Sequence, residues 1–126
     1  MNQALILKLL AMGLKLAGHK GLALSIALMG PDCQLAGFTR MEGSYQGSVM
    51  SSQEKARTAC LFQKSTADFE KALQQGRTAL LGVKEIVPIA GGIPLFKDKE
   101  FKGSIGISGA TSEVDHQIGL EIALSL

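Results

Sequence analysis

Tryptophan is absent from this chain, tyrosine occurs once, and aromatic residues make up 5% of its 126 positions. Stacking platforms for single-stranded nucleic acid are therefore scarce. A surplus of one charge is also missing. Thirteen Lys and Arg stand against eleven Asp and Glu, with no basic run, so a broad electrostatic footprint on nucleic acid is not expected. Only Cys33 and Cys60 carry thiols, with neither a C-x-x-C pair nor zinc-ligand spacing. They read as reduced thiols of a cytoplasmic protein rather than as a structural disulfide. No long uninterrupted apolar run exists either. The opening MNQALILKLLAMGLKLAG is broken by Lys8 and Lys15 and has no basic start or cleavage site. It is expected to be neither a signal peptide nor a membrane span.

What the chain does have is apolar bulk. Apolar residues reach 46%, charged ones 19%, and the mean hydropathy is +0.21. One domain over residues 1–126 is expected from length. For a domain this small the apolar fraction is high, and part of that surface is expected to be covered by a second copy of the chain.

Periodicity predicts a helix over 3–17, apolar nearly all round except for a stripe through Lys8, Ala11, Lys15 and Gly18, with Gly18 as its stop. Such a helix packs beneath a sheet, with or without a subunit contact. Two strands, 22–29 and 34–41, follow around a Gly30-Pro31-Asp32 turn. A helix over 48–62 presents a small-residue face, and a short helix starts at Ser65-x-x-Asp68 and ends at Gly76. Residues 77–85 carry no clear signal. The stretch 85–96 reads as two extended pieces around Ala90-Gly91-Gly92, which Pro88 and Pro94 place at an edge or beside a bulge. A strand over 101–108 then carries Phe101, Gly103, Ile105 and Ile107 on one face, and Ser112-x-x-Asp115 caps a last helix. This order predicts an α+β fold with an antiparallel sheet.

Three glycines recur every third residue in GSIGISGATSEVD, residues 103–115. The spacing is not that of a dinucleotide loop, no crossover strand follows, and a Walker lysine is missing. Two uses remain. Ser108, Gly109 and Thr111 lead into a helix N-terminus that could hold an anion such as a carboxylate or a porphyrin propionate. Alternatively the glycines admit a close helix above the strand, and the residues alone favour this packing use.

Four pieces taken together resemble a known family: Arg40-Met41-Glu42-Gly43 (R-x-D-G), Lys55-Ala56-x-Thr58-Ala59 (K-A-x-T-A), Ala90-Gly91-Gly92-Ile93-Pro94-Leu95 (P-G-G-v-P-l), and Gly103 through Asp115. From about residue 22 onward the chain is similar to the GlcG/HbpS-like family, which includes the C-terminal domains of PduO-type corrinoid adenosyltransferases. It departs at Met29-Gly30-Pro31-Asp32-Cys33, where V-D-a-G-G is usual, and at Glu42 and Ala90, where aspartate and proline are usual. The resemblance implies a profilin-like or roadblock-like sandwich, a five-stranded antiparallel sheet with helices on both faces. It also implies homo-oligomers, often octamers or other dimer-based assemblies, and haem bound at subunit contacts in several members.

Haem needs an axial ligand and neutralised propionates. With the resemblance allowed, His19 stands as axial-ligand candidate for the iron, with Lys15 and Lys20 as propionate partners; the alternative is a solvated histidine at a helix C-terminus. His116 reads as a surface residue, Cys33 as a thiol at a turn, and Met41 and Met50 as core filler. For an enzyme, Lys55 is the catalytic candidate, holding a small carboxylic acid against a Gly91, Gly92, Ser108, Gly109 and Thr111 pocket. The alternative is a lysine stem covering apolar surface. No Ser-His-Asp or Cys-His set can be assembled. The expected function is haem or tetrapyrrole binding by an accessory protein of a catabolic pathway. The alternatives are an enzyme acting on a small carboxylic acid and a ligand-free assembly module.

Overall fold

A computed structural model describes residues 1–126. Helix α1 (Gln3–His19) leads into strands β1 (Ser25–Met29) and β2 (Leu35–Arg40). Helices α2 (Gly47–Phe62) and α3 (Thr66–Gln74) and a 3-10 turn (Thr78–Gly82) follow, then β3 (Gly92–Lys97), β4 (Glu100–Ser108) and α4 (Ser112–Ala123). The strands form one antiparallel sheet in the order β2-β1-β4-β3.

The class is α+β, but the sheet has four strands, not the five anticipated. The piece expected to pair at 85–90 is irregular, because its backbone donors are taken elsewhere. Ile86 N–H closes a local turn on Val83 O, and Pro88 has no donor. Val87 N–H donates to Thr58 Oγ1 (3.1 Å) and Ala90 N–H to Glu70 Oε1 (3.3 Å). With the Ile86, Val87 and Ala90 donors engaged and none at Pro88, too few consecutive donors remain for a ladder. Thr58 Oγ1 also donates to Glu85 O (2.8 Å), so one buried hydroxyl latches the whole segment onto α2. Replacing Thr58 by valine keeps the shape and removes both bonds. Urea unfolding should show a loss of about 1–2 kcal/mol, and the Val87 amide should exchange faster with solvent.

Helices cover both faces of the sheet. On one, Ile6, Leu9 and Ala17 of α1 and Ile118 and Ile122 of α4 pack on Ile26, Leu28, Ile93, Leu95, Ile105 and Ile107. On the other, Ala56 and Cys60 of α2 meet Ala27 and Met29, with Cys33, Phe38 and Phe101 alongside. Phe101 was expected on the same face as Ile105. An irregularity in the β3–β4 ladder, where Leu95 faces Gly103 but Phe96 faces Phe101, leaves Lys102 unpaired and turns Phe101 to the α2 side.

The stop of α1 also differs from expectation. Gly18 lies inside the helix, and Gly21 (φ +67) is the left-handed residue after Lys20. Leu22 N–H bonds Ala17 O and Gly21 N–H bonds Gly18 O, the paired bonds of a Schellman end. His19 thus belongs to the helix's last turn. No helix is long and apolar enough to cross a membrane.

Candidate functional site

Helix α2 approaches the sheet on a stripe of Ser48, Ser52, Lys55, Ala56 and Ala59, all buried. One member of that stripe is a lysine, and a buried ammonium demands acceptors. Lys55 Nζ donates to Ile107 O at the end of β4 (3.0 Å) and to Asp115 Oδ2 in the first turn of α4 (3.2 Å). The two side chains are 3% and 2% exposed. Asp115 Oδ1 in turn accepts from Ala110 N–H (3.0 Å). The ammonium therefore ties the central helix to the last strand and to the N-terminus of the last helix.

Gly91 makes room for this arrangement. A β-carbon there would stand 2.9 Å from Lys55 Cδ and 3.0 Å from Nζ, and would strike Ile107 O; its φ is +136. Beside it the Gly92 backbone lies against Lys55 O, while Gly92 N–H donates to Thr66 Oγ1 (2.9 Å). Ser108, 8% exposed, faces Ser25 in the ladder, and Gly109 packs against Ala23 and Leu24. Lys55, Gly91 and Gly92 thus meet at one corner, and Ser108 and Gly109 follow directly on the Ile107 carbonyl that Lys55 bonds, with their own contacts turned toward β1. Thr111 lies at its outer rim, exposed, and caps α4 by accepting from Val114 N–H (3.2 Å).

The cap was expected at Ser112-x-x-Asp115. Thr111 takes that role, and Asp115 turns inward instead. The anion at this helix start is the chain's own carboxylate, held by Lys55 Nζ and by Ala110 N–H just before the helix, with the helix dipole adding to the attraction. Burial pushes the Asp115 carboxyl above its ordinary range, and the attraction of Lys55 and the Ala110 N–H offset this only in part. Sequence reasoning missed Asp115 as the partner of Lys55. The available signal was the lysine itself, the one charge on an otherwise small-residue stripe.

His19, Lys15 and Lys20 stand apart from the corner, all exposed at the end of α1. Lys15 and His19 are four residues apart and share a helix face, and neither makes an ion pair or a side-chain hydrogen bond. His116, expected at the surface, is half-buried, and its Nδ1 has no partner. Met41 packs at the core's margin and accepts from Leu24 N–H through its sulfur (3.4 Å), whereas Met50 is 64% exposed and fills no core. No group of three His, Cys, Asp or Glu side chains is placed to hold a metal ion.

Two clefts of about 250 Å³ open on the surface. One is polar, lined by Glu54, Arg57, Lys84, Glu85 and Val87. The other is mostly apolar, between β3 and α4, with Ile93, Pro94, Phe96, Leu120 and Leu124 among its walls. Neither reaches the roughly 300–1,000 Å³ of a pocket that encloses a drug-sized ligand.

Comparison with known proteins agrees with this architecture. Protein GlcG of Escherichia coli strain K12 is 30% identical over 108 residues, covering 86% of this chain and 81% of its own length. A crystal structure of a PduOC:Heme complex superposes with a TM-score of 0.89 at 19% identity, covering all of this chain and 94% of that one. A double mutant of HbpS from Streptomyces reticuli superposes with a TM-score of 0.88 at 24% identity, covering all of this chain and 86% of that one. At those identities the two structures speak for the fold alone. Residues 1–123 match the family described as "Haem degrading protein HbpS-like", and the chain belongs to that family.

Proposed function

We propose that this protein binds haem or a related tetrapyrrole as a homo-oligomeric accessory protein of a catabolic pathway. The observation that carries the reading is His19, an exposed imidazole on the last turn of α1 with no partner of its own and Lys15 on the same face. An imidazole so placed can ligate iron, and Lys15 and Lys20 can meet propionates. The membership established above, and the haem held by a structural relative, support the choice of ligand.

Because both clefts of a single chain are small, the macrocycle needs a second wall, which another copy supplies. Exposed Leu7 and Leu14 on α1 provide apolar surface for such a contact. An octamer or another dimer-based assembly meets the requirement. The alternative, a small carboxylate held beside Lys55 by Gly91, Gly92, Ser108, Gly109 and Thr111, requires the ligand to displace Asp115 from a nearly dry ion pair. The geometry favours haem.

Titrating haem into the purified protein should produce a sharp Soret band. His19→Ala should weaken and shift that band, while Lys15→Ala and Lys20→Ala should weaken binding by only a few-fold and leave its position unchanged. A spectrum that stays that of free haem would overturn the proposal.

A further inference from the structure

The two thiols, 27 positions apart in sequence, come together on the α2 side of the sheet. Cys33 sits in the β1–β2 turn, half-buried, in the left-handed region at φ 59, and packs against the cluster that contains Cys60 of α2. Both residues converge on one oxygen. Gly30 O accepts from Cys33 N–H (2.9 Å) and from the Cys60 thiol (3.3 Å). Cys33 is reachable from solvent, whereas Cys60 is 2% exposed.

We propose that Cys33 and Cys60 form a peroxide-oxidised dithiol site, in which Cys33 is the attacked thiol and Cys60 resolves it to an intramolecular disulfide. The Cys33 thiolate attacks one oxygen of a hydroperoxide and the O–O bond breaks, leaving a sulfenic acid on Cys33 and water (or an alcohol) carrying off the thiol proton. Cys60 sulfur then attacks the Cys33 sulfur, the S–O bond breaks, and the hydroxyl leaves as water with the Cys60 proton. The peroxide is reduced by two electrons, and each thiol gives up one.

The division of roles follows from position. Burial and the neighbouring Cys33 push the Cys60 thiol up to about 12, which keeps Cys60 a thiol, and half-buried Cys33 is the one a peroxide can reach. Cys33 is itself the residue held at positive φ in this turn, and it already packs against the cluster that contains Cys60. The product would bolt the β1–β2 turn to α2. This proposal is independent of the haem reading, and haem-free protein is used to test it.

Haem-free protein at low concentration is treated with hydrogen peroxide, quenched, denatured and alkylated. The expected product has monomer mass, lacks two hydrogens, takes up no alkyl groups, and yields a crosslinked peptide pair containing Cys33 and Cys60. Its Tm should be raised and should return on reduction. Cys60→Ala should instead accumulate a Cys33 sulfenic acid that dimedone traps, and Cys33→Ser should give neither disulfide nor adduct at matched peroxide. Two alkylated thiols after treatment, a disulfide only between chains, or dimedone labelling of Cys60 in Cys33→Ser would each overturn the assignment. If Cys60→Ala does not fold, the crosslinked peptide of the wild-type chain decides alone.

Discussion

Replacing Lys55 by methionine should cost about 3–5 kcal/mol at neutral pH, the loss typical of removing one partner from a buried ion pair. The stem still fills its channel beneath Gly91, but Asp115 Oδ2 and Ile107 O lose their donor in a site that is 2–3% exposed. The double change Lys55→Met with Asp115→Leu should recover most of that loss, because a dry apolar pair of similar volume is often as stable as the ions it replaces. Unfolding should be followed by far-UV circular dichroism in urea at fixed protein concentration. Fluorescence would be a poor probe, because tryptophan is absent and Tyr45 is 78% exposed. A single-variant loss below about 1 kcal/mol would contradict a structural role for the pair.

The same variant has a predictable pH response. The Asp115 carboxyl is already raised above its reference value of 3.8 by burial, with Lys55 opposing the rise. A carboxyl whose folded value is raised binds more protons folded than unfolded, so its stability contribution is complete below 3.8 and declines as pH climbs through the folded value. Removing Lys55 removes the opposing attraction and carries the folded value further up. Lys55→Met should therefore regain stability on acidification from neutral pH, over a wider window than wild type. The double variant has no carboxylate there and serves as the baseline. If Lys55→Met and the double variant show parallel pH profiles, Asp115 is not the titrating group.

Helices and hairpins were legible because their apolar periods are clean, and the small-residue face of α2 was readable as a surface for close approach. The fifth strand was not. Val87 and Ile89 look the same whether their neighbours' donors enter a ladder or meet Thr58 and Glu70, which lie 29 and 20 residues away from the amides they satisfy. Asp115 failed in the same way: Thr111 and Ser112 are both good caps, and only the position of Lys55, 60 residues earlier, draws the carboxylate inward. The face of Phe101 depended on one unpaired residue at Lys102, which a strict two-residue alternation cannot register. For the candidate haem ligands the sequence placed His19 beyond a helix stop. The Schellman bonds three residues later keep it in register with Lys15.

The regular glycines carry the second large effect. Gly106 lies in β4 opposite Gly92 of β3 and Ala27 of β1, so a trough of small residues crosses three strands. Helix α2 rests in it. A β-carbon on Gly106 would strike Ser52 O and stand 2.7 Å from Ala56 N and 3.0 Å from Ala56 Cβ. The first two obstacles are helix backbone and cannot swing aside as a side chain would. They are also held: Ser104 Oγ donates to Ala56 O (2.6 Å), and the preceding residue, Lys55, is anchored to Ile107 O. Gly106→Ala should therefore reach or exceed the upper end of the usual overpacking cost, about 3 kcal/mol. Gly106→Val should exhaust a stability of about 5–15 kcal/mol when the helix is forced off the sheet, and should yield no soluble folded protein. Adding Ala56→Gly to Gly106→Ala should not rescue it, since that removes one methyl and leaves the Ser52 carbonyl in place. Gly18→Ala is the contrasting case. Nothing lies within 4 Å of the added carbon, and a helical glycine replaced by alanine should gain up to about 1 kcal/mol. Urea midpoints for the four proteins measure the contrast. A Gly106→Ala variant as stable as Gly18→Ala would mean that α2 rides higher above the sheet than this geometry allows.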